Sequence, residues 1–169
     1  MQGERQAVTI RPAQPSDAAA LSACMRRAYA RYAERLSDLP DVAGGLAEEI
    51  EQHCVWVAEQ DGSLLGGLVL VLEEERARLA NLAVDPAASG QGLGRRLIET
   101  AEMACRARGL THLHLTTHRA MPENQDLYRH LGWEESGRSG NKVFMTKQLM
   151  STPSPAKSAR EPRHTERHG

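Results

Sequence analysis

The run from Leu82 to Arg96, Leu-Ala-Val-Asp-Pro-Ala-Ala-Ser-Gly-Gln-Gly-Leu-Gly-Arg-Arg, constrains the fold more than any other part of the chain. An apolar segment closes at Asp85-Pro86, and glycines then alternate at 90, 92 and 94. Leu93, Leu97, Ile98, Ala101 and Cys105 recur at helical spacing as far as Gly109, a helix-ending residue. Thr111 to Thr117 then reads as a second strand. Strand, glycine loop, helix and strand make a crossover unit, which sets two strands side by side and parallel.

The rest of the chain builds outward from that unit. Val8 to Ala13 alternates and reads as a strand, and Ser16-Asp17 opens a helix carrying Leu21, Met25, Ala28, Tyr29 and Tyr32. Ser37 to Gly45 is a loop, and Leu46 to His53 a short helix. Cys54 to Gln60 and Ser63 to Glu74 flank Asp61-Gly62, a strong hairpin signal. Gly66 and Gly67 inside the second of these strands predict a bulge or a close backbone approach. Glu123 to Trp133 reads as a short helix stopped at Gly132, and Lys142 to Leu149 as a last alternating strand. The order βααβββαβαβ predicts an α/β (α+β) domain, with helices flanking a mixed central sheet of about six to seven strands.

Composition bounds what such a domain does. A chain of 169 residues with 40% hydrophobic and 25% charged residues suits one globular domain, expected over residues 1–150. The net charge of −1 gives no general signal for nucleic acid, and no apolar run suits a membrane span. Cys24, Cys54 and Cys105 are scattered and odd in number, which fits a reducing cytoplasmic setting. Residues 151–169 are rich in Pro, Ser, Arg and His and nearly free of apolar residues, the composition of a disordered tail.

The glycine loop suits an anion. The first turn of a helix has free N–H groups and a positive dipole end, glycines allow close approach, and Arg95 and Arg96 add charge. The dinucleotide fingerprint G-x-G-x-x-G fails on its last spacing, and a P-loop fails because Arg95 stands where Lys is required. A turn that merely connects strand and helix is the plain alternative.

The wider segment resembles the core motif of the GCN5-related N-acetyltransferases. The shared features are Leu82-Ala83-Val84, then Asp85-Pro86, then Gly90-Gln91-Gly92-Leu93-Gly94 opening a helix. Ser89 departs from the Arg or Gln usual at its position. A second match, Leu127-Tyr128 followed by Leu131-Gly132-Trp133, lies downstream. The resemblance covers roughly Val8 to Leu149. It implies the acyl-coenzyme A N-acyltransferase fold, and acetyl-coenzyme A as co-substrate with no metal. The pyrophosphate would lie on backbone amides of Gln91 to Arg95, with Gly90 also in the cofactor site, and the pantetheine arm along Leu82, Ala83 and Val84. It further implies an amine acceptor, Tyr128 as the acid near the coenzyme sulfur, and pairing of two copies through the final strands.

The general base does not carry over. Many relatives place a glutamate on the strand that here ends in Thr116-Thr117. His118, Glu123 and His114 are the substitutes within reach, with His118 favoured by its pKa class and place at the strand end. A water chain without a dedicated base is the other option. Asn124 is either a helix cap or a contact to the pantetheine arm. Tyr29, Arg31, Tyr32 and Glu34 are candidate acceptor contacts, or else an ordinary amphipathic helix face. An aromatic content of 4% argues against a large stacking pocket. A small amine, a protein N-terminus or lysine, and a non-catalytic acyl-coenzyme A sensor are the competing readings.

Overall fold

A computed structural model describes residues 7–33 and 45–149. The loop expected at 37–45, nearly all of it, the candidate contact Glu34 and the tail at 151–169 lie outside the described residues. Seven strands form one sheet in the order β1-β2-β3-β4-β5-β7-β6. They are β1 (Thr9–Pro12), β2 (Cys54–Gln60), β3 (Ser63–Leu72), β4 (Ala77–Val84), β5 (His112–His118), β6 (Glu134–Ser139) and β7 (Lys142–Gln148). The helices are α1 (Ala18–Ala33), α2 (Leu46–Gln52), α3 (Leu93–Ala107) and α4 (Pro122–His130). No described helix is long and apolar enough to cross a membrane.

The local signals place these elements as chemistry requires. Asp61 (φ 53°) and Gly62 (φ 83°) take the left-handed region, so β2 and β3 join through the two-residue turn expected of Asp-Gly. Helix α3 ends with Gly109 at φ 79°, where the N–H groups of Gly109 and Leu110 return to Arg106 O and Cys105 O. This cap satisfies carbonyls that the helix leaves open. The start of α1 differs from the sequence reading. Pro15–Asp17 forms a 3-10 turn ahead of the helix, and Asp17 accepts the Gln14 N–H at 2.7 Å. Arg11 joins Asp17 (2.9 Å) and Glu59 (2.7 Å), which ties β1, the foot of α1 and β2 together.

Two apolar layers sandwich the sheet. One holds Leu97, Ile98, Ala101 and Cys105 of α3 against Leu68, Leu70, Leu113, Leu115, Val143 and Met145, with Tyr128 and Trp133. The other packs Leu21 and Met25 of α1 on Val55, Val57, Val69 and Ala83. Gly67 is required beneath α1, because a Cβ there would stand 2.5 Å from Leu21 Cδ1.

The parallel pair expected around the crossover is β4 with β5, and its shortness shapes the site. Only Ala77↔Leu113 and Arg78↔His114 are paired. Beyond them the strands part. A register shift between β3 and β4 leaves Ala80 unmatched, since Leu70 opposes Leu79 while Val69 opposes Asn81. Such a bulge bends a strand and re-aims the residues beyond it. From Asn81 to Val84, β4 therefore keeps its pairing to β3 and presents its other edge to open space.

Candidate active site

The free edge of β4 can be identified bond by bond. Asp85 N–H donates to Leu65 O at 2.8 Å, and the register runs Ala83↔Gly67 and Asn81↔Val69. In an antiparallel ladder alternate residues face the partner strand. Ala83 and Asn81 therefore bond toward β3, while the peptide groups of Leu82 and Val84 point toward the gap. One of these is partly used: the Tyr29 hydroxyl donates to Leu82 O at 2.9 Å and lies 3.2 Å from Asn81 Oδ1. Burial, with Tyr32 nearby, pushes the Tyr29 phenol up to about 12.

At the end of β4, Asp85 accepts the Ala87 N–H and pairs with Arg27 of α1 at 2.8 Å. The loop then turns through Gly90 (φ 86°) and Gly92 (φ 75°) into α3. Both values are costly for residues with a Cβ, so glycine is required by conformation here, not by crowding. A Cβ at either position would meet nothing within 4 Å. From Gly90 onward, Arg96 is the first described residue whose N–H finds an acceptor in the chain, Gly92 O at 3.1 Å. The N–H groups ahead of it face outward at the positive end of a fifteen-residue helix. Arg95 lines the groove beside them. Arg96 does not share that role, because its guanidinium turns away to Val8 O at 3.0 Å.

A groove of about 740 Å³ runs along these features. Leu82, Ala83, Val84, Gly90, Gly92, Leu93, Gly94, Arg95, Asn124 and Tyr128 all line it. Gln91 is exposed and stands outside the lining. Leu93 is buried against Ala58 and Ala88, so its contribution is structural. The sequence reading missed Arg27, which carried no local signal because only tertiary packing brings α1 beside the loop.

A second cavity of about 420 Å³ opens in the gap between β4 and β5. His118, Thr116 and Thr117 of β5 line it, with Asn81 of β4 and Lys142 of β7. The two cavities meet at Tyr29, Leu82, Asn124 and Tyr128, which line both. Asn124 is not a helix cap: Met121 occupies the cap position of α4, and Asn124 sits in the first turn with its N–H on Met121 O. Tyr128 is 6% exposed and rests against Trp133 at 5.6 Å between ring centroids, and its hydroxyl has no hydrogen-bond partner among the described residues. Burial, and then nearness to Tyr29, holds its phenol well above the ordinary range.

The candidate bases separate. His118 lies in the second cavity, with Nδ1 accepting the Ala120 N–H at 3.0 Å. His114 stands away from both cavities, next to Thr146 at 3.3 Å, and burial lowers its pKa. Glu123 lies on the first groove, 3.5 Å from the Tyr32 hydroxyl. Of the α1 candidates, Tyr29 reaches both cavities and Tyr32 is buried beside the first. Nothing of the Arg31 side chain is described. No cluster of His, Cys, Asp and Glu suited to a metal occurs among the described residues.

A strand edge freed by a bulge, a glycine turn into a helix N-terminus, and a second chamber meeting the first define an acyl-coenzyme A transferase fold. The family comparison agrees: residues 51–135, half of the chain, match the model described as acetyltransferase (GNAT) domain. The chain belongs to the GNAT acetyltransferase family.

Human N-acetyltransferase 8B is 29% identical over 122 residues, covering 68% of this chain and 53% of that protein. Mouse N-alpha-acetyltransferase 80 is 40% identical over 63 residues, 37% of this chain and 19% of that protein. The chain thus spans about half the length of the first relative and a fifth of the second. Among solved structures, the PaiA N-acetyltransferase of Thermoplasma acidophilum in complex with coenzyme A superposes with a TM-score of 0.75 at 22% identity, covering 85% of this chain and 99% of that one. The ribosomal-protein-S18-alanine N-acetyltransferase of Escherichia coli gives a TM-score of 0.71 at 23% identity, covering 88% and 97%. These likenesses establish the fold.

Proposed function

We propose that the chain transfers the acetyl group of acetyl-coenzyme A to a primary amine by direct attack in a ternary complex. The observation that carries this reading is the junction of two cavities at Tyr29, Leu82, Asn124 and Tyr128. Direct attack needs two substrates delivered from different sides to one point, and their positioning supplies much of the rate.

On the coenzyme side, the outward amides from Gly90 to Arg95 hold the pyrophosphate, as helix N-termini hold phosphates generally. The pantetheine amides bond to the gap-facing peptide groups of Leu82 and Val84, in the manner of an added strand. Asn124 touches the arm. The Leu82 N–H points where the thioester oxygen gains charge during attack.

Chemistry then needs proton management. The amine nitrogen attacks the thioester carbon, the C–S bond breaks, and the sulfur leaves as a thiolate. Tyr128 donates a hydrogen bond to that sulfur. A phenol raised by burial keeps its proton at neutral pH, and a thiol is the stronger acid. Tyr128 therefore stabilises the thiolate chiefly by donation, with full protonation following from solvent. His118 Nδ1 accepts from Ala120, so the neutral ring carries its proton on Nε2 and serves the acceptor as a donor. The base role expected for it from the sequence requires breaking that bond. No carboxylate of the described residues lines the acceptor cavity. The amine accordingly enters neutral or loses its ammonium proton through water, and the proton that the nitrogen gives up on forming the amide also leaves through water.

The test is coenzyme-thiol release across a panel of amines with Tyr128→Phe. Turnover is expected to fall about 10²-fold, a usual contribution of a positioned acid, while acetyl-coenzyme A affinity holds. Unchanged turnover would remove Tyr128 from the chemistry. Tight acetyl-coenzyme A binding without turnover of any amine would favour a sensor.

A further inference from the structure

The acceptor cavity is one-sided in charge. His118 and Lys142 oppose each other in the β5–β7 register, so their side chains stand on the same face of the sheet, and both line the cavity. No Asp or Glu of the described residues joins them. Lys142 also differs from the cations that carboxylates hold. Lys147 is held by Glu102 at 2.7 Å, Arg11 by Asp17 and Glu59, Arg27 by Asp85, and Arg138 by Glu135. Lys142 has no carboxylate within ion-pair distance among the described residues, and it sits exposed at the cavity edge. Ser139 at the end of β6 and Asn141 of the turn into β7 add polar lining beside it.

An acceptor bearing a second ammonium group would meet a like charge here and no counter-ion. An acceptor bearing a carboxylate would meet an available cation. Resting on the transferase reading above, we infer that the acceptor carries a carboxylate close to its reacting amine, with Lys142 binding the carboxylate and the amine directed to the Leu82–Tyr128 junction. The chemistry is that of an α-amino acid, or of an acidic side chain on the first residue of a peptide. The same cation favours the reactive state of the amine, since a nearby positive charge makes an ammonium easier to deprotonate. A chamber without a carboxylate base is thereby suited to a neutral nucleophile.

Product binding tests this without any turnover. N-acetylalanine and N-acetylalaninamide, which differ in the carboxylate, are titrated calorimetrically into the full chain saturated with coenzyme A. The acid is expected to bind about tenfold more tightly, the size of one charge-assisted hydrogen bond. The preference should vanish in Lys142→Met, survive in Lys142→Arg and shrink or reverse in Lys142→Glu. Coenzyme A affinity and thermal stability serve as fold controls, because Lys142 is exposed. N-acetylaspartic acid α-amide, which keeps only the side-chain carboxylate, separates the sources: tight binding assigns the carboxylate to a side chain, and weak binding assigns it to a free amino acid. Equal affinity of acid and amide, binding of neither, or a preference that Lys142→Met leaves intact overturns the inference. Any of these outcomes leaves the Tyr128 test of transfer standing, so the two readings fail separately.

Discussion

The groove proposed for the coenzyme and the cavity proposed for the acceptor share Tyr29, Leu82, Asn124 and Tyr128, yet they are made of different material. The groove is mostly backbone. Its working groups are peptide N–H and C=O groups aimed by a bulge at Ala80, two left-handed glycines and a helix start. The cavity is mostly side chain, with His118, Thr116, Asn81 and Lys142 drawn from three strands. A site of peptide groups needs only a conformation, so its identity is written in glycine spacing. A site of side chains needs particular residues at positions far apart in the chain, and these can change without disturbing the fold.

The sharpest way to break this contrast is Gly92→Glu. Gly92 needs its φ of 75° but has open space around it, so the fold should tolerate the change at a cost of about 1–2 kcal/mol. The added carboxylate would sit among the N–H groups meant for an anion. Coenzyme A affinity, measured by calorimetry, is expected to fall at least 100-fold, about 2.7 kcal/mol. If affinity survives, the loop does not hold the phosphates.

This difference also explains what could be read before the structure. The crossover, the parallel strand pair and the glycine turn into α3 came from one part of the sequence, because glycine, proline and apolar spacing act locally. Strand β6 was not legible in this way. Its sequence, Glu-Glu-Ser-Gly-Arg-Ser from Glu134, has no apolar alternation, and five of its six residues are exposed at the sheet edge. It is a strand because β7 offers it a partner. Arg27 and Lys142 were equally illegible. A helix arginine and a strand lysine look like solvated surface until tertiary packing sets one beside the glycine loop and the other beside His118.

Arg27 gives the next largest effect. It is the charged side chain that α1 contributes to the groove, where Ser89 offers only a hydroxyl already donated to Pro86 O at 3.0 Å. Arg27→Ala is expected to weaken coenzyme A binding about fivefold. It is half exposed, so the loss should shrink as salt rises. Binding isotherms at two ionic strengths check this. A loss independent of salt would point to displaced packing of α1.

A smaller effect tests the footing of α1, which presents Tyr29 to both cavities. Hydrogen bonding from Arg11 holds the Asp17 carboxyl below its ordinary value of 3.8. A carboxylate lowered on folding stabilises the native state above its unfolded pKa, and that stability is lost as pH falls through the folded one. Thermal unfolding of the parent chain and Asp17→Asn should therefore differ by about 1 kcal/mol at pH 7 and converge below pH 3.8. A gap that persists in acid would mean the asparagine disturbs the turn itself.

The smallest change is expected from Gly94→Ala, and its smallness is informative. Gly94 lies in the same loop-to-helix run as Gly92, but its φ is not left-handed. A Cβ there would rest 3.9 Å from Leu127 Cδ2 and from Val84 Cγ2, ordinary van der Waals distances. Alanine also favours a helix over glycine by up to about 1 kcal/mol. The variant should hold coenzyme A within about twofold of the parent and melt at the same temperature or slightly higher. If it instead loses binding as Gly92→Glu does, close approach of the ligand, and not backbone conformation, sets the need for glycine there. The groove would then depend on side-chain volume as the acceptor cavity does, and the contrast between the two would narrow.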